Sequence, residues 1–549
     1  MKPNNLRKSI RMQFKGNDTV NYLSLAFLLL LSLGCSFKRV NRELTQVEEI
    51  KSNSQNNEYL KVHMKNGDVY LFHSWKVDKS NEIIFGFGNH LDYNRNLIET
   101  RDGTGSSPSE PKRIPTQFLI PFDEIVILET NQQGNNPGVA AMVLVGITTG
   151  VFSLYCSINP KACFGSCPTF YVYGLDVQNL VGEGFSSSIS KSLEDTDIDL
   201  IDLNMEEGAP LQLIVKNEAL ETHLINKVNL LSLNKNDENR VFQSSNGDFH
   251  EVKDIENPLK ATYHSQLITD FVAAKDEKEW FSLADTFNLL KKETLFLEFS
   301  NPGVSSGLII EKRQTLMTTF LFYHFLSLMG NASSHYLAEM ETSEPGLSKK
   351  VRAFQELLGG IEVFYLNDNG KWILLDEISE DGPIVTDSHL VILPLLKMPV
   401  LNIKLELNQG LWRINTLNLA VLAGKVEPEV HFPLQVKNNA TNETDTIALD
   451  KLLSDGYLVT FPGEAYTLDY GINYQKDKEY FVESKGYYIE WMREEWLEDQ
   501  NLQGARRAML HPEKFLKEMA LPFKAIEPKI EEIFWNTRIS GNGTHGNDY

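Results

Sequence analysis

The stretch from Tyr59 to Phe72 places two alternating polar and apolar segments on either side of Asn66-Gly67. That dipeptide between alternating segments is the strongest short-range signal for a tight hairpin, and hairpins commit a chain to antiparallel β structure. Similar signals recur along the sequence. Strand-like runs follow at Glu82 to Phe87 and at Phe118 to Leu128, separated by the polar Gly/Ser/Pro loop Asp102 to Pro111. Pro210 to Val215 and His223 to Leu233 read as a meander, and Asn246-Gly247-Asp248 reads as a turn. Thr294 to Phe299 continues the pattern, and Ile361 to Leu366 with Trp372 to Leu375 forms a second hairpin signal across Asn367 to Gly370. Helical spacing replaces it at Gln314 to Met329 and at Leu347 to Leu358. Glu513 to Arg538 is an amphipathic helical end interrupted at Pro522 and Pro528.

The N-terminus carries a different kind of information. Lys2, Arg7, Lys8, Arg11 and Lys15 precede the apolar run Tyr22 to Leu33, which ends in Gly34-Cys35. A basic region, a short apolar core and a small residue before a cleavage point are the parts of a secretory signal. The run is too short to cross a bilayer as a helix. A cysteine directly after the small residue matches a lipoprotein signal, with Ser32 a tolerated residue three positions before it. Cys35 is therefore the expected lipidation site, carrying palmitate-type acyl chains that hold the mature chain to a membrane at about 0.8 kcal/mol per buried methylene.

With 549 residues and 42% hydrophobic content, the chain can bury several cores. The expected fold class is α+β and predominantly β. The expected order is a signal peptide over 1–34, a linker over 35–58, a small SH3-like or Sm-like barrel over 59–130 and an apolar segment with the cysteine cluster over 131–164. A β-rich domain over 165–300, a helical region over 301–360, a second β-rich domain over 361–480, a C-terminal helical region over 481–539 and a flexible tail over 540–549 follow. Within the apolar segment, Gly138 to Ile158 is uncharged for 21 residues and contains Gly146-x-x-x-Gly150. This meets the length rule for a membrane span. A buried or membrane-apposed helix is the preferred reading, because a body delivered outside the inner membrane has no reason to thread back.

Seventy-four acidic residues against 52 basic ones give a formal charge of −22. That field repels phosphate backbones, so nucleic acid is not an expected partner. The expected partners are the membrane, through lipidated Cys35, and a protein or glycan of the cell envelope, with the outer membrane favoured over the inner. Cys156, Cys163 and Cys167 lie within twelve residues of one another. In an oxidising compartment they predict one disulfide, with Cys163 and Cys167 the nearest pair; free buried thiols and a metal site are the alternatives. A tetrahedral zinc site needs a fourth ligand that the neighbouring sequence does not supply, so neither metal nor cofactor is expected.

Several motifs bear on chemistry. Gly303 to Gly307 matches the G-x-S-x-G of hydrolase nucleophile elbows, but Asn301-Pro302 intervenes after the strand and Leu308 to Ile310 reads as another strand, so a connecting turn is expected. Asp195, Asp197, Asp199 and Glu206 fall at calcium-loop spacing, yet Leu200 occupies the position that requires glycine, and the alternation predicts the acidic face of a strand. Glu183, Glu194, Glu218, Glu221 and His223 are the candidate catalytic residues, because two carboxylates converging in a cleft could divide acid and base roles in glycoside cleavage. The competing expectation for Asn217 to His223 is a turn whose side chains satisfy buried backbone groups. Tyr487, Tyr488, Trp491 and Trp496 with Arg493 are read as core packing rather than a ligand platform.

The block Cys167 to Tyr171, followed by Gly174, Gly182-Glu183-Gly184-Phe185, Leu193-Glu194 and Asn217 to His223, resembles a family of uncharacterised envelope lipoproteins of Gram-negative bacteria. Gly486 to Trp496 and Phe534 to Arg538 are similar to its C-terminal elements. The resemblance implies an envelope location and no known activity. The function expected from the sequence is a structural or binding component that recognises another envelope molecule, with a glycosidase-like envelope hydrolase as the alternative.

Overall fold

The computed structural model describes residues 38–45, 60–135, 167–330, 356–490 and 499–539, apart from 65–67, 92–96, 102–116, 174–177, 190–192, 237, 277, 379–381, 455 and 537. The fold is predominantly β, with five sheets and few helices among the described residues. Every pairing between named strands is antiparallel, as the hairpin signals predict. Cys35, the apolar run 138–158, most of 347–358 and the tail 540–549 lie outside the described residues. Among the described residues no helix is long and apolar enough to cross a membrane.

The N-terminal sheet has seven strands. Lys38–Thr45, Ile125–Asn135, Leu60–Met64, Val69–Asp78, Ile83–Leu91 and Leu97–Arg101 follow one another across it, and Phe118–Pro121 pairs with Ile83–Leu91. Leu60 pairs with Phe72 and His63 with Val69, so the two segments form an antiparallel pair, while Asn66-Gly67 itself lies outside the described residues. Trp75, Phe72, Ile84 and Leu128 form its core. Two boundaries shift. Lys38–Thr45, within the expected linker, is a strand against Ile125–Asn135, and that partner runs five residues past the expected edge at 130.

The remaining four sheets stack in layers. Inner sheet I contains Asp195–Ile201, Lys478–Glu490, Glu221–Asn234 and Glu429–His431, with Leu458–Thr460 also pairing with Glu221–Asn234. Outer sheet I contains Glu443–Thr444, Gln435–Asn438, Ala465–Asn473, Pro210–Lys216, Thr169–Tyr173 and Gln178–Glu183. One core lies between them, built from Phe170, Leu213, Val228, Leu230, Leu468 and Val482. Inner sheet II contains Arg240–Gln243, Phe249–Glu256, Trp412–Val426, Ser306–Gln314 and Asp387–Leu393. Outer sheet II contains Lys260–Tyr263, Lys292–Ser300, Val400–Asn408, Ile361–Leu366 and Trp372–Ile378, with Gln266–Leu267 at its edge. Their shared core includes Leu295, Leu308, Ile310, Leu405 and Trp412.

The two inner sheets also pack on each other, through Leu231, Leu233, Phe481, Phe249, Ile309, Leu390 and Ala420. Side chains alternate across a strand, so Leu230 faces one core and Leu231 the other. The apolar residues of Leu224 to Leu233 serve both faces, Ile225, Val228 and Leu230 in one core and Leu231 and Leu233 in the other, while Asn226, Lys227, Asn229 and Ser232 interrupt the run. Such a run carries no mark of which neighbour it will pair with. The expected meander is accordingly not formed: Pro210–Lys216 lies in outer sheet I and Glu221–Asn234 in inner sheet I, with the chain changing layer at 217–220. For the same reason the stretches 165–300 and 361–480 do not close on themselves; Asp195–Ile201 and Glu221–Asn234 both pair with Lys478–Glu490.

Helices fill the flank. Met317–Met329 places Phe320, Leu321, Tyr323 and Leu326 in the core of the second pair of sheets. The expected helical region 301–360 begins with a strand, Ser306–Gln314, whose polar residues Lys312 and Gln314 are buried in inner sheet II. At the C-terminus, Leu502–Leu510, Pro512–Glu518, Ala520–Ile526 and Ile530–Asn536 add Phe515, Leu516, Phe523 and Phe534 to that core. The strand Lys478–Glu490 extends ten residues into the expected helical region 481–539. Pro522 sits in the first turn of its helix, where its missing N–H costs nothing, and Pro528 falls in a 3-10 turn.

Candidate functional site

The sequence candidates are placed by the outer-to-inner crossover. Asn217 sits at its start, buried. Its side-chain amide donates to the carbonyls of Glu221 at 2.9 Å and Thr460 at 3.1 Å, and its Oδ1 accepts the Ala219 N–H. This is the turn role anticipated for the Asn217 to His223 run. Glu218 accepts from the Thr169 hydroxyl at 2.7 Å and the Tyr171 hydroxyl at 2.9 Å, and it is ion-paired to Arg538. Burial and the Glu218 charge hold the Tyr171 hydroxyl protonated, up to about 12. Glu218 thereby clamps the end of the chain onto outer sheet I. Replacing Arg538 by alanine is expected to cost about 1.5–3 kcal/mol, the range for a hydrogen bond to a charged group. Urea unfolding of the variant checks this, and an unchanged midpoint would refute the clamp.

Glu221 and His223 enter inner sheet I on the strand that pairs with Lys478–Glu490, so Glu221 is opposite Glu490 and His223 opposite Tyr488. These four side chains face the interior, on the same side as Ile225. His223 Nε2 lies 3.1 Å from Glu221 Oε2. The Tyr323 hydroxyl donates to Glu490 Oε1 at 2.5 Å and lies 3.5 Å from Glu221 Oε1. Glu221, His223, Tyr323 and Glu490 are each no more than 3% exposed.

Glu183 ends the strand Gln178–Glu183 and is 4% exposed. Its Oε2 accepts the backbone N–H of Ile384 at 2.7 Å and of Val385 at 3.3 Å. It therefore ties outer sheet I to the segment leading into the strand Asp387–Leu393 of inner sheet II. The other oxygen makes no hydrogen bond, and the Cys167 thiol lies near the carboxyl group. Burial raises the Glu183 carboxyl to about 8, against the opposing pull of the two backbone N–H groups. Cys167 is buried as a free thiol, and Cys163, its expected partner, lies outside the described residues. Burial pushes that thiol well up, and the charges of Glu183, Glu221 and Glu490 push it further. It is an inert, protonated thiol in an acidic interior.

Glu183 is flanked by Gly182 and Gly184 for a steric reason. A Cβ on Gly184 would stand 2.9 Å from both the Phe170 ring and Ser484 Oγ, and one on Gly182 would stand 3.2 Å from Phe170 and Asp199 Oδ2. The acids read at calcium-loop spacing hold the same element: Asp199 accepts the Glu183 N–H at 3.2 Å and Asp197 accepts the Phe185 N–H at 3.0 Å. Glu206 is exposed and remote from this use. Among the described residues, no three His, Cys, Asp or Glu side chains gather as a metal site.

Glu194 stands apart, accepting from the Tyr457 hydroxyl at 2.6 Å. Tyr487 and Tyr488 are buried, as core packing requires, while Trp491, Arg493 and Trp496 lie outside the described residues. Gly303 sits in a turn between two strands with φ +69°, not between a strand and a helix. The fold thus brings Glu221 and His223 into contact with each other, while Glu183, Glu194 and Glu218 each make separate contacts. Sequence reasoning missed Tyr323 and Glu490; antiparallel pairing of Glu221 with Glu490 has no local signal.

One further grouping escaped the sequence. Ser245 Oγ lies 2.9 Å from His389 Nε2, and it also donates to Asp376. Burial first, then the Lys312 charge, hold His389 down to about 4, so the imidazole is neutral. The carboxylate contacts the serine and not the far ring nitrogen, so it does not orient the histidine as a nucleophile-activating relay requires.

What the carboxylates can do follows from these contacts. Glycoside cleavage needs two carboxyl groups on opposite sides of a bound sugar. Here Glu183 is engaged by backbone donors, Glu218 by an arginine and two hydroxyls, and Glu221 by a histidine in the interior. No protein-family model matches this sequence, and no curated protein does. Among solved structures, the chain is similar at 10% identity and a TM-score of 0.14 to the crystal structure of a GH31 alpha-xylosidase from Xanthomonas citri. That match covers 81% of this chain, which spans only 35% of the xylosidase, and at such a score it carries no argument about fold or activity.

Proposed function

We propose that this chain is a lipid-anchored envelope protein, held to a membrane through Cys35, whose β body serves as a structural or binding component that recognises another envelope molecule. The observation that carries this reading is the use of the candidate acids: Glu183, Glu218 and Glu221 are spent on holding strands and layers together. A body stiffened by such contacts suits a fixed recognition surface. The arrangement of Gly34-Cys35 after a basic, then apolar, leader supports the anchor. The resemblance to envelope lipoproteins supports the same location, with the outer membrane favoured.

The test is in-cell crosslinking of the tagged protein with identification of partners by mass spectrometry, using Cys35→Ala as the unanchored control. A dominant envelope partner that is lost in the control is the expected result. Recovery of monomer and random neighbours alone would overturn the binding role, and an unaltered membrane fraction for Cys35→Ala would overturn the anchor.

A further inference from the structure

An open depression of about 320 Å³ lies on inner sheet I and is lined in part by Thr196, Asn226, Lys227, Asn229, Phe432 and Lys485. Strand pairing builds it. Thr196 is opposite Lys485, and Lys485 is in turn opposite Lys227, so a row of three side chains crosses three adjacent strands. A register shift between Ile225 and Lys227 leaves Asn226 as the extra residue of a bulge, its side-chain amide donating to the Gly456 carbonyl at 3.0 Å. Bulges re-aim side chains and often adjoin binding sites.

The charge arrangement points to a ligand. Like charges directly opposite each other across two strands repel. Lys227 is neutralised by Glu483 at 2.9 Å, and the other oxygen of Glu483 takes the Asn229 amide at 2.7 Å. Glu483 is then fully used. Lys485, half-buried in the depression, has no hydrogen bond or ion pair among the described residues. In a chain of net charge −22, an unneutralised ammonium in a concavity is a local reversal of the field and a place where an anion gains. The Thr196 hydroxyl adds a neutral polar group, and the Phe432 ring, 55% exposed, offers an apolar face on the rim. The volume is at the small end of the range of about 300–1,000 Å³ for ligand pockets, which suits one or two sugar rings.

We propose that this depression is a binding site for a carboxylate-bearing saccharide, with the carboxylate paired to Lys485 and the face of the sugar ring laid on Phe432. This names a ligand class for the binding role given above and rests on it. The full chain is titrated with sodium glucuronate, glucose and inorganic phosphate, followed by saturation-transfer NMR and calorimetry. Saturable glucuronate binding is expected, with glucose weaker by about tenfold for want of the charge-assisted hydrogen bond. Lys485→Gln is expected to remove that advantage by bringing glucuronate down to the level of glucose, while Phe432→Ala weakens both sugars alike. Phe432→Ala carries the test by itself if Lys485→Gln does not fold.

Equal binding of glucose and glucuronate, absence of saturation, or wild-type affinity in both variants would overturn the site. Phosphate binding as tightly as glucuronate would overturn the saccharide assignment. Failure here with the anchored crosslinking partner retained would remove this site and leave the binding role standing, whereas loss of both would remove the role itself.

Discussion

Lowering the pH from 8.5 to 5 is expected to stabilise this protein relative to its Glu183→Gln variant. The Glu183 carboxyl is raised to about 8 by burial, against an ordinary carboxyl near 4.5 in the unfolded chain. Between those values the folded state binds the extra proton, so stability falls as pH rises. The contribution is complete below pH 4.5 and is lost as pH climbs through 8. Its full size is on the order of 5 kcal/mol, at about 1.4 kcal/mol per tenfold change in proton affinity, and about 4 kcal/mol of it falls between pH 5 and 8.5. Glutamine keeps a carbonyl to accept the Ile384 N–H and has no proton to lose, so the variant lacks this dependence. Asp199, raised by burial and by the charges of Asp197, Asp387 and Glu183, changes stability in the same direction and remains in both proteins. The comparison is made by urea unfolding at pH 5, 7 and 8.5. Parallel loss of stability in the two proteins would show that Glu183 is not the group that titrates.

The second large effect is expected at Phe170. This ring is fully buried between outer and inner sheet I and occupies the space beside Gly182 and Gly184. Phe170→Ala removes the packing and leaves a cavity, costing about 3–5 kcal/mol. Gly184→Ala alone forces its new methyl against the ring and against Ser484, costing about 1–3 kcal/mol by overpacking. In the double variant the ring is gone and half of the clash goes with it. The two losses are then expected to be sub-additive by about 1 kcal/mol, since residues in contact couple. Simple additivity would mean that Ser484 and not Phe170 limits the space at Gly184.

The same few residues account for the Gly-Glu-Gly-Phe element. The glycines make room for an aromatic ring, the glutamate reaches between layers to two backbone N–H groups, and Asp197 and Asp199 hold the element from the next strand. An acidic motif that reads as chemistry in one dimension is, in three, a joint between sheets.

The hairpins at Asn246-Gly247 and Asn367 to Gly370 were legible because turn chemistry and alternation are local: Gly247 and Gly370 have φ of +84° and +72°, which glycine adopts without steric cost. The predominance of antiparallel β structure follows from the same signals. The helices at Met317–Met329 and Ile530–Asn536 announced themselves by spacing. Tertiary structure alone decided which strands are neighbours. Leu224 to Leu233 puts apolar side chains on both faces, so its pattern names no partner, and pairing with Lys478–Glu490 joins positions more than 240 residues apart. That pairing brings Glu221 to Glu490 and sets Lys227 against Lys485. The roles of the acids were settled at the same level, because what a carboxylate does depends on which donors converge on it, and convergence across a layered fold leaves no trace in the spacing of residues along the chain.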